Sequence, residues 1–101
     1  MRNNIDVESV IEQMQGKVRE AVEQGVIMVE ADAKLLSPVL TGTLKRSITH
    51  DVEQSESITK GTVGTNVEYA IFAEKSKPFL EPAVDMNINE IQELIRRKLT
   101  E

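Results

Sequence analysis

The spacing of apolar residues over the first third of the chain constrains the fold more than any other feature. Val7, Ile11, Met14, Val18, Val22, Gly25, Val29, Ala33 and Leu36 follow one another at intervals of 4, 3, 4, 4, 3, 4, 4 and 3 residues. That is the period of one helix face, not of a strand. Val10, Ala21 and Val26 widen the same stripe. Asn4 or Asp6 can cap the start by accepting backbone N–H groups, and Glu8 suits the positive end of the helix dipole. Pro38 disfavours helical geometry at Ser37 and should end the helix there. Thirty helical residues span about 45 Å. A globule of this chain length measures only about 26 Å across twice its radius of gyration. The helix, assigned to residues 1–36, is therefore expected to overhang its own core and to need a neighbour. Gly25 lies on the stripe and has two readings, a close crossing by another element or a bend.

The middle of the chain changes period. After the loop marked by Pro38 and Gly42, Thr41 or Thr43 can cap a short helical turn over residues 44–47. Ile48, His50 and Val52 then alternate with Thr49, Asp51 and Glu53, and Ile58, Lys60 and Thr62 alternate with Thr59, Gly61 and Val63. Two runs of period 2, joined by the polar Gln54-Ser55-Glu56-Ser57, predict an antiparallel hairpin over about 47–54 and 57–65. Residues 67–75 contain Tyr69, Ala70, Ile71 and Phe72, and both a third strand and a short helix fit so short an apolar run. Ser76-Lys77-Pro78 breaks the chain. Pro82 then suits the first turn of a helix, where its missing N–H costs nothing. Val84, Ile88, Ile91, Ile95 and Leu99, spaced 4, 3, 4 and 4, carry that helix over 81–101. Acidic Glu81 and Asp85 at its start and basic Arg96, Arg97 and Lys98 at its end suit the dipole.

The expected fold class is thus α+β: a long N-terminal helix, a small antiparallel sheet (a hairpin plus a possible further strand) and a C-terminal helix packed on the sheet. With 101 residues the chain is expected to form one domain with one core. Residues 37–80 form its loop and sheet region.

Little in the sequence supports catalysis. Cysteine is absent, which excludes disulfides and thiolate metal sites. His50 is the only histidine, too few for a histidine-pair zinc site and without an evident partner for general-base work. Gly61-Thr62-Val63-Gly64 lacks the Lys-Ser/Thr and helix start of a phosphate loop. Asp51 and Glu53 sit in a polar, solvated stretch. No catalytic residue, cofactor or metal is expected. The net charge of −5 is spread so that no third of the chain is basic overall, which argues against a dedicated nucleic-acid clamp. Lys45-Arg46 and Arg96-Arg97-Lys98 are small basic clusters, read as solvated faces or as contacts to an acidic partner surface or DNA phosphate. Residues 1–20 have no apolar signal stretch, and no apolar run approaches the roughly 18 residues of a membrane span. The cytoplasm is the expected location of synthesis, with no membrane partner.

Three short motifs occur in order. Ser37-Pro38-Val39-Leu40-Thr41-Gly42-Thr43-Leu44-Lys45-Arg46-Ser47-Ile48 follows the long helix. Gly64-Thr65-Asn66-Val67-Glu68-Tyr69-Ala70-Ile71-Phe72-Ala73-Glu74 follows the hairpin, and Pro78-Phe79-Leu80-Glu81-Pro82-Ala83 opens the last helix. This order closely resembles the tail-completion, or head–tail joining, family of long-tailed bacteriophages and prophages. There the pattern reads approximately Pro-x-x-Thr-Gly-x-Leu-Arg-x-Ser, Tyr-Ala-x-x-Val-Glu and Pro-Phe-Leu-x-Pro-Ala. The matching residues are Pro38, Thr41, Gly42, Leu44, Ser47, Tyr69, Ala70, Glu74, Pro78, Phe79, Leu80, Pro82 and Ala83. The resemblance covers about residues 25–100. The chain departs from it at Ala73, where Val is common, and at Lys75-Ser76-Lys77, where such proteins often carry a longer, Gly-containing loop.

The resemblance implies a structural virion protein of the neck: a homo-oligomeric ring, expected as a hexamer, that ends the tail tube and joins it to the head connector or stopper. DNA would pass through its lumen without sequence-specific binding. Pro38 and Gly42 would shape the turn out of the helix. Leu44, Tyr69, Phe72, Phe79 and Leu80 would anchor turns to the core, and Lys45, Arg46 and Glu74 are candidates for inter-subunit contacts. The alternatives are a head-completion adaptor or stopper ring and, from other classes, a small nucleic-acid-binding regulator or a phage nuclease.

Overall fold

The computed structural model describes residues 7–38, 42–56, 58–67 and 70–100. The element order is α1 (Val7–Leu36), α2 (Thr43–Ser47), β1 (Thr49–Gln54), β2 (Thr59–Gly64), α3 (Ala70–Ser76) and α4 (Leu80–Thr100). The expected caps Asn4 and Asp6 lie outside the described residues, as do Thr41 and Tyr69.

The 30 residues of α1 end as Pro38 requires. The Ser37 N–H reaches the Ala33 carbonyl at 2.9 Å, and its hydroxyl donates to the Lys34 carbonyl at 2.9 Å. Two orphan carbonyls of the last turn are thereby satisfied. Gly42, and not Thr43, stands at the N-cap of α2, with no side-chain cap hydrogen bond from Gly42. Its φ of +80° is the left-handed conformation that a Cβ disfavours.

β1 and β2 pair antiparallel with His50 opposite Val63, Val52 opposite Gly61 and Gln54 opposite Thr59. These three pairs share the face turned to α1, because side chains two apart along a strand point the same way. A Cβ on Gly61 would stand 2.5 Å from Val26 Cγ1 and 2.8 Å from Val22 Cγ1, and Gln54 donates to the Gln15 carbonyl at 2.8 Å. The outward face carries Thr49, Asp51, Glu53, Lys60 and Thr62, all exposed. The hairpin starts two residues later than expected. Ile48 lies just before it and is 1% exposed, its side chain given to the core.

Among the described residues the sheet has these two strands. The possible third strand is instead α3. Its first N–H, on Ala70, is held by the Val67 carbonyl at 3.1 Å, and Thr65 Oγ1 accepts the Val67 N–H at 3.1 Å. Ala70 and Ala73, three apart, then both turn to the core, a helical and not a strand spacing.

α4 runs antiparallel along α1: Gly25 meets Ile91, Asp32 meets Asn87, and Glu20 meets Lys98. α4 faces the sheet across a groove floored by α1. The crossing explains Gly25, since a Cβ there would stand 2.8 Å from Ile91 Cγ1. The close-crossing reading is the one the fold uses. The core sits at the C-terminal end of α1, built from Val29, Ala33, Leu44, Ile48, Ala70, Phe79 and Ala83. The radius of gyration is 17.3 Å and the long axis 68 Å, against about 13 Å of gyration for a compact domain of this length. α1 overhangs its core, as its length requires.

Candidate functional site

The three motifs converge on that core. Leu44 and Ile48 come from the first, Ala70 from the second, Phe79 and Ala83 from the third, and Phe79 and Ala83 are wholly buried. Polar bonds tie the motifs in sequence. Ser47 of the first donates to the Leu44 carbonyl at 2.7 Å and shares a hydrogen bond with the Thr65 hydroxyl of the second. Glu74 of the second caps the helix that the third opens. Its Oε1 accepts the N–H groups of Phe79 at 3.1 Å and Leu80 at 2.9 Å, and its Oε2 accepts that of Glu81 at 3.3 Å.

The local logic of that cap is complete. A helix leaves its first N–H groups without partners and carries a positive dipole end. Glu74 takes three donors, and the next residue, Pro82, has no N–H to satisfy. Partial burial opposes ionisation of Glu74, but the backbone donors of Leu80, Phe79 and Glu81 outweigh it and hold the carboxyl below its ordinary range. The carboxylate proposed for a subunit contact therefore has an intrachain role. Lys75 and Ser76 are the last residues of α3, and the Lys77 N–H donates to the Ala73 carbonyl at 2.8 Å.

The remaining motif residues are placed as follows. Pro38, Leu80 and Pro82 are half-buried, and Pro78 is exposed. Arg46 is exposed and Lys45 half-buried. The Arg46 guanidinium lies over Gly42, where a Cβ would stand 2.8 Å from Nη1. Among the described residues neither Lys45 nor Arg46 forms an ion pair.

Two polar links escaped the sequence reading. Asn87, 8% exposed, donates to Asp32 Oδ2 at 2.7 Å and to the Ala83 carbonyl at 2.8 Å, joining α4 to α1. The signal was present: Ala83, Asn87 and Ile91 are spaced by 4 and mark the face that meets α1. The apolar run Val84, Ile88 is displaced from it by one residue. The second link is His50, which bonds Glu30 of α1, itself paired with Lys34 at 3.0 Å. The His50 hydrogen bond lowers the Glu30 carboxyl; burial opposes this, and Lys34 adds to the lowering.

Val84 and Ile88 instead line the groove between β2 and α4. Its floor is Val22, Val26 and Val29, its sheet wall Gly61 and Val63, and its helix wall Val84, Ile88 and Ile91. Toward the N-terminal end of α1 a second apolar hollow, between Met14, Val18, Ile58 and Leu99, lies along the same helix. Among the described residues nine large hydrophobic side chains are exposed, and five belong to these two hollows: Met14, Ile58, Val84, Ile88 and Leu99. Isolated exposed apolar residues are ordinary, whereas a contiguous set marks an interaction surface.

Among the described residues no three His, Asp or Glu side chains are grouped to hold a metal ion, and no helix is long and apolar enough to cross a membrane. No curated protein and no solved structure shows significant similarity to the chain. A family model does match, over residues 1–75, and its description is "Bacteriophage HK97-gp10, putative tail-component". The match takes in α1, the hairpin and the first two motifs, and stops three residues short of Pro78. The chain belongs to the HK97-gp10-like family of bacteriophage tail components.

Proposed function

We propose that the chain is a non-catalytic ring subunit that ends the tail tube and joins it to the head connector. The observation that carries this reading is the order of the three motifs, bonded to one another at the end of α1 and followed by the Glu74-capped α4. The exposed apolar groove and the overhanging α1 support it, since both are surfaces that want a neighbour. The partners are other copies of the chain, hexameric in expectation, the tail-tube protein and the head connector or stopper. The net charge of −5 suits a lumen through which DNA slides without being held.

The test is to add the purified chain to polymerising tail-tube protein. Tubes of bounded length, each bearing a ring at one end, are the expected outcome. Unbounded tubes with no bound chain would contradict it. A second reading, a head-completion adaptor or stopper ring, is favoured by the short Lys75-Ser76-Lys77 connection. It predicts binding to the connector and none to tubes.

A further inference from the structure

Resting on the ring reading, we infer that the groove between β2 and α4 receives a second copy of this chain, which enters with Ile27 and the free edge of its β1. Three observations lead there. The first is area. The chain exposes 7366 Å², whereas a compact monomer of its mass exposes about 5,700 Å². The surplus of about 1,600 Å² matches two faces of about 800 Å² each, the share that one subunit gives to two standard interfaces. A subunit inside a ring has two such faces.

The second observation is the placement of apolar surface. Val84 and Ile88, 42% and 41% exposed, stand on the helix wall of the groove. Ile27, 52% exposed, stands on the other flank of α1, beside β1 with Arg19, Glu23 and Asp51. At about 100° per residue, Ile27 projects about 140° and about 160° around α1 from Val22 and Val29 and about 100° from Val26, on the flank away from the groove. One flank thus has an apolar cleft and the other an apolar knob. Different, complementary faces on opposite flanks are what a head-to-tail contact uses, and such contacts close into rings.

The third observation is the sheet. Among the described residues it has two strands, so each has one edge that no described strand pairs. β2 borders the groove and β1 borders Ile27. Exposed edges invite pairing with another strand. Setting the β1 edge of one copy against the β2 edge of the next extends the sheet across subunits. The same step carries Ile27 into the neighbour's groove.

The absence of cysteine makes the contact directly testable. Two single variants, Ile27→Cys and Ile88→Cys, are mixed and treated with a short bis-maleimide, in solution and on tail tubes. Both positions are exposed, and circular dichroism of each variant checks that its helices are intact. A cross-linked dimer that forms in the mixture, and in neither variant alone, is the expected result. The double variant Ile27→Cys/Ile88→Cys should give a ladder ending at the ring. If wild-type rings form but the mixture gives no heterologous cross-link, the docking proposal is overturned and the ring reading stands. Cross-linking of Ile88→Cys alone would show groove meeting groove and would also overturn it. Failure of the wild type to assemble in solution or on tubes would overturn both.

Discussion

The Glu74 carboxylate accepts the Leu80 N–H at 2.9 Å, and this bond joins the second motif to the third. It explains why the two lie so close in sequence. The acceptor sits at the end of α3, the donors at the start of α4, and the connecting residues need only be long enough to let the carboxylate reach.

Replacement of Glu74 by Ala should cost about 1–2 kcal/mol, the upper range for losing an N-terminal cap, read as a lower urea midpoint. Glu74→Gln keeps an acceptor but loses the charge and should cost less. The folded-state carboxyl is held below its ordinary range. Its contribution is therefore fully present above the unfolded value of about 4.3 and is lost as pH falls through the folded value. The stability gap between wild type and Glu74→Gln should be constant near neutrality and shrink in acid. A gap independent of pH would contradict the charged cap.

The glycines of α1 should respond in opposite directions. Gly16 has nothing within 4 Å of a built Cβ, so Gly16→Ala should gain up to about 1 kcal/mol from helix propensity alone. At Gly25 the same gain meets the body of the Ile91 side chain at 2.8 Å. Overpacking costs about 1–3 kcal/mol, so Gly25→Ala should lose up to about 2 kcal/mol. Equal responses in chemical denaturation would show that α4 does not press on Gly25.

Asn87→Asp replaces the donor that faces Asp32 at 2.7 Å with a second carboxylate. The variant should be less stable than wild type at pH 7 by about 1–3 kcal/mol, the cost of an unsatisfied buried group. Like charges raise the pKa of such a pair. The penalty should therefore fade as pH drops and one carboxyl takes a proton. Adding Asp32→Asn should restore the bond and remove most of the loss at pH 7, measured in a double-mutant cycle.

Much of this fold was legible because its period is long and its breakers are strong. Thirty residues of helical spacing closed by Pro38 left little choice for α1, and two alternating runs around a polar turn left little for the hairpin. Residues 67–75 were ambiguous because seven residues of helix are too short to show a period; the Val67 carbonyl and Thr65 hydroxyl that start α3 make local turn bonds that an apolar pattern does not record. The apolar run of α4 marked the helix, and its Ile91 meets Gly25 of α1, but it did not show that Ala83 and Asn87 share that packing face. Val84 and Ile88 form the more apolar run, yet the chain buries Ala83 and Asn87 against α1, where small side chains let the helices approach. Val84 and Ile88 of the apolar run line the groove instead. Glu74 was marked by its motif, but its partner set was not, because a cap from a preceding helix has no fixed spacing.

The central claim, a ring subunit of the phage tail, is tested most directly by negative-stain imaging of the purified chain, alone and with tail tubes. Closed rings with a central hole, free in solution or seated at one end of each tube, are the predicted result. A protein that stays strictly monomeric and binds neither tube nor connector would contradict it.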